Sequence, residues 1–117
     1  MHVEVHTDNH IHGGERLITG ITDGIRSALE RFNSQITRVD VHLADVNGPK
    51  GAENDKRCLI EARLAHHQPI VASHQAATVD ESFDGASDKL FRVIETTLGR
   101  LYDNNRQSTS AGGDQVI

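Results

Sequence analysis

Alternating apolar and polar residues predict four β-strands along the chain. In the first, residues 2 to 7, Val3 and Val5 alternate with histidine and glutamate, and alternate side chains of a strand point to opposite faces. The same alternation predicts strands at residues 36 to 46, 56 to 66 and 70 to 75. In the second of the four, Leu43 shares the apolar face with two valines, whereas His42 lies on the polar face.

Apolar residues recur at every third or fourth position in two further segments, as in a helix with one buried face. The first segment spans residues 15 to 32. Its Gly20 and Gly24 each weaken a helix by about 1 kcal/mol relative to alanine, but the apolar stripe continues through both. The second segment, residues 78 to 102, begins with residues suited to capping a helix. We therefore predict two amphipathic helices.

The order of these elements is strand, helix, three strands, helix. A helix that connects the first two strands predicts that they are parallel, and the loops between the later strands suit antiparallel hairpins. Two amphipathic helices suffice to cover the apolar face of the sheet. The sequence therefore predicts an α+β fold, a two-layer β-α-β-β-β-α sandwich in which a four-stranded sheet carries both helices on one face.

The length of 117 residues is that of one domain. We expect residues 1–103 to form this domain. Residues 104–117 are polar, rich in glycine and serine and without periodicity, and we expect a disordered tail there. Because 36% of the residues are hydrophobic and only 3% are aromatic, the core must be small and mainly aliphatic.

The formal net charge of −5 disfavours indiscriminate attraction to nucleic acid. No segment approaches the roughly 18 apolar residues of a membrane span, and the N-terminus lacks the basic and apolar regions of a secretory leader. The single cysteine, Cys58, cannot form an internal disulfide. We therefore expect a cytoplasmic protein without a membrane partner.

Eight histidines raise the question of a metal site. His2 and His6 share one strand face, but four residues of extended chain separate their backbones by roughly 13 Å, too far to close on one ion. The NHIH segment at residues 9 to 12 has no second pair at a zinc-like spacing. We expect solvated histidines and predict neither a metal nor a cofactor.

Nucleophilic catalysis has no better candidate. Ser73 and His74 are neighbours on a predicted strand and face opposite ways, Cys58 points inward, and no glycine-flanked nucleophile turn is present. The glycines and lysine of residues 47 to 51 lack the spacing of a phosphate-binding loop. The sequence predicts that the protein is not an enzyme.

Basic residues lie off the apolar stripe of both predicted helices. They are Arg16, Arg26 and Arg31 on the first helix, and Lys89, Arg92 and Arg100 on the second. Acidic residues such as Asp23 and Glu95 are interleaved with them. Composition alone therefore favours an ordinary solvated surface of mixed charge over a nucleic-acid groove.

The chain resembles the family of ribosome hibernation-promoting factors, which includes the ribosome-associated inhibitor and the sigma-factor modulation proteins, as a divergent short form. The resemblance covers roughly residues 1 to 102. It is carried by ALERF at 28 to 32, ITRVDVHLADVNG at 36 to 48, RCLIEARL at 57 to 64, IVASHQA at 70 to 76 and DESFDGASDKL at 80 to 90.

This resemblance implies a fold like that of the double-stranded-RNA-binding domain. It also implies binding to the small ribosomal subunit between head and body, where the protein blocks the messenger and transfer RNA channel during stationary phase or stress. Lysine and arginine contacts to ribosomal RNA phosphates would hold it there and recognise RNA shape. By position, the residues implied are Arg26, Arg31, Lys89, Arg92 and Arg100.

The sequence departs from the family in its charge. Family members usually have a strongly basic last helix that ends in a lysine and arginine cluster, whereas this chain has TTLGRLYDNNRQ at 96 to 107. Fewer phosphate contacts weaken binding to RNA. The alternative hypothesis is therefore a divergent domain of the same fold that does not bind RNA and acts as a protein-interaction module in the stress response, able to form a weak homodimer.

Overall fold

The computed structural model describes the backbone of residues 1–8, 11, 13–46 and 55–109, and the side chains of these residues up to residue 99. Within these ranges the elements are β1 (His2–Thr7), α1 (Gly14–Ala28), a 3-10 turn (Glu30–Phe32), β2 (Ile36–Asp45), β3 (Lys56–Leu64), β4 (Ile70–Ala76) and α2 (Val79–Thr109). This is the predicted order of strands and helices. Within the described residues no helix is both long and apolar enough to cross a membrane.

The four strands form one sheet in the order β1-β2-β3-β4. β1 pairs in parallel with β2, and β3 pairs antiparallel with both β2 and β4. The mixed sheet confirms the predicted directions, which followed from a helical crossover and two hairpins. Parallel pairing sets Glu4 beside Asp40 and His6 beside His42, and this register determines the outer face of the sheet.

Both helices lie on one face of the sheet, as predicted. The fully buried side chains of the core come from every layer, and each buried Leu or Ile contributes about 1.5–3 kcal/mol. They include Ile25, Leu29, Val39, Val41, Ile60, Leu90 and Ile94. The strand residues among them are the ones that the alternation assigned to the apolar face, so the predicted α+β sandwich is confirmed.

Two helical glycines allow close packing. A Cβ atom at Gly24 would lie 2.9 Å from the Phe83 ring, so the glycine lets α1 approach α2. A Cβ atom at Gly85 would overlap the imidazole of His74, which lets α2 approach β4. These contacts explain why residues of low helix propensity are tolerated in both helices.

Some element ends differ from the prediction. The first helix stops at Ala28, and its predicted last turn is the separate 3-10 turn. β3 ends at Leu64, because the chain then turns through His66, whose φ of 62° lies in the left-handed region. Such a φ is incompatible with a continuing strand.

The second helix extends to Thr109 instead of ending near residue 102. Residues 104–109, assigned to a disordered tail, are therefore helical in the backbone. They contain neither proline nor glycine, and the first glycines after them are Gly112 and Gly113. Residues 110–117 lie outside the described residues, and disorder there stays a prediction.

Candidate functional site

The predicted RNA-binding residues of the first helical segment are exposed. Arg26, in the last turn of α1, donates a hydrogen bond from Nη1 to the backbone carbonyl of Met1, at 3.2 Å. Arg31 follows in the 3-10 turn, where its guanidinium lies 5.3 Å from the centre of the Phe32 ring. Nη1 of Arg31 also lies 3.0 Å from Oε2 of Glu95 on α2. This exposed ion pair partly neutralises the positive charge of Arg31.

The predicted RNA-binding residues of α2 differ in their contacts. The Lys89 ammonium donates to the backbone carbonyl of Ser73 on β4, at 3.0 Å. Arg92, one turn further on, is exposed and makes no ion pair with any side chain that the structure describes. Arg100 is part of the helical backbone, but its side chain lies outside the described residues.

These cations are spread across the helical layer and do not form one cluster. Arg26 lies next to the start of β1, whereas Lys89 contacts β4, and these strands are the two edges of the sheet. Three strand spacings separate the edges by about 14 Å. The layer thus offers separated positive charges, and it also carries the acidic residues Asp80 and Glu81 in the first turn of α2.

The outer face of the sheet carries a second, tighter group, the sheet-face cluster of Glu4, His6, Arg38, Asp40 and His42. Arg38 donates from Nε to Oδ2 of Asp40 at 2.8 Å and from Nη2 to Oδ1 at 3.0 Å. The same Nη2 donates to Oε1 of Glu4 at 3.0 Å. One guanidinium therefore joins two carboxylates on neighbouring strands in the fork geometry that arginine favours.

Two imidazoles complete the sheet-face cluster. His6 Nε2 lies 3.2 Å from Oδ1 of Asp40 and 3.8 Å from Oε1 of Glu4. The rings of His6 and His42, neighbours in the β1–β2 register, stack with their centres 4.6 Å apart and their planes at 14°. The stack fixes the plane of the His6 ring above the carboxylates.

The environment of Asp40 shifts its acidity. Hydrogen bonds from Arg38, the largest cause, and the contact with His6 lower the pKa of Asp40 to about 2, against the opposing effect of burial. The hydrogen bonds that Arg38 donates to Asp40 in turn raise the pKa of Arg38. The carboxylate of Asp40 therefore stays ionised throughout the physiological pH range.

Two features of this cluster are not visible in the sequence. Asp40 was expected to face solvent, yet it is only 7% exposed because Arg38 and His6 cover it. The backbone distance between His2 and His6 predicted that they do not meet at one site. Their Nε2 atoms nevertheless lie 3.5 Å and 3.8 Å from the two carboxylate oxygens of Glu4. Knowledge of the parallel register between residues 2–7 and 38–43 would have revealed the cluster.

Cys58 illustrates why the side chains considered for nucleophilic chemistry are poorly suited to it. The thiol is buried in the core, and this burial raises its pKa to about 12. Since the thiolate is the nucleophile, such a thiol is inert at neutral pH. His74 packs against α2 at Gly85, on the face of the sheet opposite to Ser73.

Comparison with known proteins gives a family and several similar solved structures. Residues 3–102 match the model of the family described as Sigma 54 modulation protein / S30EA ribosomal protein. No protein of curated function matches significantly. The fold resembles the crystal structure of the N-terminal domain of Thermus thermophilus Protein Y, with a TM-score of 0.65 and 14% identity over 83% of this chain and 99% of that one.

It also resembles a ribosomal subunit interface protein from Coxiella burnetii, with a TM-score of 0.63 and 14% identity over 85% of this chain and 99% of that one. At this identity the two likenesses concern the fold. The expected likeness to the double-stranded-RNA-binding domain is a loose one, since the sheet here is mixed and has a parallel edge strand.

Proposed function

The chain belongs to the family of Sigma 54 modulation proteins and S30EA ribosomal proteins, and from this membership we propose that it is a ribosome-associated hibernation factor that binds the small subunit. The observation that carries the proposal is the family match, which extends from β1 into the far part of α2. The similar structure from Coxiella burnetii, described as a ribosomal subunit interface protein, supports it.

The proposed mechanism is steric occlusion of the channel that messenger and transfer RNAs occupy. Exposed cations of the helical layer contact ribosomal RNA phosphates, and the rigid two-layer body fills the channel. Arg26, Arg31, Lys89, Arg92 and Arg100 are the residues proposed for these contacts. The family is one of ribosome-associated factors and is not known as a family of enzymes, so the mechanism involves no catalysis. A factor that acts on ribosomes in this way works in the cytoplasm.

Charge makes this binding sensitive to salt. The net charge of −5 and the acidic first turns of α2 oppose a polyanion at long range, so affinity has to come from short-range contacts to individual phosphates. Arg92 is the best placed for such a contact, because it is exposed and has no ion pair with a described side chain.

Co-sedimentation with ribosomes tests the proposal. We expect the full chain to migrate with small subunits in a sucrose gradient at low salt. Reversal of two charges in Lys89→Glu/Arg92→Glu should weaken this association at least about tenfold, because each lost phosphate contact lowers a salt-dependent affinity.

The outer face of β3 offers a matched control. Arg57→Glu/Arg63→Glu changes the net charge by the same amount at two exposed positions on the opposite side of the molecule. This variant should retain most of the association. The proposal fails if wild-type protein is absent from the small-subunit and whole-ribosome fractions, and the assignment to the helical layer fails if both variants lose binding equally.

One observation favours the alternative function, a protein-interaction module of the same fold without RNA binding. The Arg31 guanidinium is paired with Glu95, and acidic residues dominate the start of α2, which leaves few cations for phosphates. Under this alternative the chain interacts with proteins, including a second copy in a weak homodimer. A concentration-dependent dimer in sedimentation equilibrium, together with absence from ribosomes, would support it.

A further inference from the structure

The sheet-face cluster brings metal-binding atoms together on the side of the molecule opposite to the helices. One donor atom each from Glu4, His6 and Asp40 lies within 4.8 Å of the other two. His6 Nε2 is 3.2 Å from Oδ1 of Asp40 and 3.8 Å from Oε1 of Glu4. Tetrahedral zinc sites, with bonds of about 2.0–2.2 Å, place their ligand atoms about 3.4 Å apart. Two of the three distances between these donor atoms are therefore already close to the required length.

Rotation of the flexible Glu4 side chain shortens the third distance, between the carboxylate oxygens of Glu4 and Asp40. Glu4 is about half exposed, with 46% of its side-chain surface accessible, whereas Asp40 is only 10% accessible and held by Arg38. The buried aspartate thus provides a fixed ligand, and the glutamate can adjust to it. The accessible His6 and Glu4 also leave the site open to an ion from solvent.

The donor set indicates the class of ion. An imidazole nitrogen with two carboxylate oxygens suits Zn²⁺ and related divalent transition metals, whereas Mg²⁺ and Ca²⁺ prefer oxygen ligands alone. We propose that Glu4, His6 and Asp40 form a surface site for a divalent transition-metal ion, with Zn²⁺ as the reference ion. The proposal is independent of ribosome binding.

In this site the metal replaces a contact between two of its ligands. His6 Nε2 lies within hydrogen-bond distance of Oδ1 of Asp40 in the metal-free protein. To bind the ion, the neutral ring must carry its single N–H on Nδ1; where that proton is on Nε2, Nε2 releases it to solvent and Nδ1 takes one up, so no net proton is lost. Nε2 and Oδ1 of Asp40 then each donate an electron pair to the ion.

Arg38 limits the affinity and orients the ligands. Its guanidinium offsets one of the two carboxylate charges, so the ligand group keeps a single negative charge instead of two. Its Nη2 donates to Oε1 of Glu4 and Oδ1 of Asp40, the same oxygens that face His6, so the ion has to use the second lone pair of each oxygen. Hydrogen bonds of this kind orient metal ligands. We therefore expect an affinity in the micromolar instead of the nanomolar range.

A neighbouring imidazole supports the site. His42 stacks on His6 and holds the ring plane in place. His2 Nε2 lies 3.5 Å from Oε2 of Glu4, but His2 is not among the three residues whose donor atoms lie within 4.8 Å of one another. Water from solvent therefore completes the four ligands of a tetrahedral zinc site.

Metal titration of the full chain, produced without a polyhistidine tag and treated with a chelator, tests this site. Calorimetry with Zn²⁺ at neutral pH should give one ion per chain, and Co²⁺ should produce the visible absorption of a tetrahedral complex. His6→Gln should lower the Zn²⁺ affinity at least tenfold, and Glu4→Gln should lower it several-fold, with unchanged circular dichroism in both variants.

Two control variants distinguish this site from other histidines. His67→Gln removes an exposed imidazole in the turn after β3, and His10→Gln/His12→Gln removes the pair in the NHIH segment. Both controls should bind Zn²⁺ like the wild type. The proposal is overturned if the wild type takes up no ion at micromolar Zn²⁺, if His6→Gln binds as well as the wild type, or if only His10→Gln/His12→Gln loses the ion.

Discussion

Asp40 is a buried carboxylate on the face of the sheet that was expected to be open to solvent. It is tolerated there because Arg38 donates to both of its oxygens and His6 contacts Oδ1. An unpaired charge in this position would cost several kcal/mol. Asp40 fits the polar side of its strand in the sequence pattern, but in the fold its partners bury it. The local pattern does not reveal these partners.

The lowered pKa of Asp40 predicts a loss of stability in acid. A carboxylate whose pKa is lower in the folded than in the unfolded state stabilises the fold above its unfolded value, and this contribution disappears as the pH falls through the folded value. For Asp40 the window runs from 3.8 down to about 2. Allowing for solvent screening, we expect a contribution of roughly 1–2 kcal/mol at neutral pH.

Urea denaturation of the chelator-treated protein from neutral pH into this window measures the effect. Asp40→Asn should be less stable than the wild type at neutral pH and should lose less stability on acidification. Arg38→Gln, which removes the main cause of the lowered pKa, should behave similarly. An acid dependence of Asp40→Asn equal to that of the wild type would contradict the assignment.

At the scale of elements, glycine positions determine how closely the helices approach their neighbours. Gly20 lies in α1 with nothing within 4 Å of an added Cβ, whereas Gly85 in α2 leaves no room beside His74. Glycine has a low helix propensity at either position. The structure shows that packing requires glycine at position 85 but not at position 20.

Alanine at these two positions should therefore change stability in opposite directions. Gly20→Ala should raise the free energy of unfolding by about 0.5–1 kcal/mol, because alanine restricts the unfolded chain and favours the helix. Gly85→Ala should lower it by about 1–3 kcal/mol through overpacking against His74. Thermal or urea denaturation measures both.

A second variant distinguishes a steric effect at Gly85 from any other. In Gly85→Ala/His74→Ala the imidazole is absent, so the added methyl group should cost little relative to His74→Ala alone. If the alanine at position 85 is equally harmful in both backgrounds, contact with His74 is not the reason for the glycine.

At the scale of the whole molecule, the two proposed binding sites lie on opposite faces. The helical layer holds separated cations, and Arg92 has no ion pair with a described side chain. The outer sheet face holds the sheet-face cluster, in which two carboxylates face one guanidinium. The proposed phosphate contacts therefore lie on the helical layer, and the proposed metal site lies on the sheet.

This division predicts how the proposed ribosome association responds to salt. In a plot of the logarithm of the association constant against that of the salt concentration, Lys89→Gln/Arg92→Gln should give a slope shallower by about 2 than the wild type, one for each lost phosphate contact. Arg57→Gln/Arg63→Gln should leave the slope unchanged. Binding of labelled protein to small subunits at several salt concentrations measures it, and equal slopes for the first variant and the wild type would exclude phosphate contacts by Lys89 and Arg92.

The sequence by itself determined the elements, their order and the buried face of each strand. Periods of two and of three to four residues depend only on local backbone geometry, and the helical crossover between β1 and β2 predicted their parallel direction. The apolar positions Val39, Val41 and Ile60 were found in this way and are buried. The apolar stripes of the two helices likewise predicted which cations are exposed, namely Arg26, Arg31, Lys89 and Arg92.

Only the tertiary structure decided which side chains meet. The contacts of Arg38 with Glu4, of His6 with Asp40 and of Arg31 with Glu95 join residues that are 34, 34 and 64 positions apart. Such contacts depend on strand register and helix placement, which packing of the whole core sets. The local pattern contains no information about either, because residues on one face of a strand look alike in sequence whether their neighbours are water, a carboxylate or an imidazole.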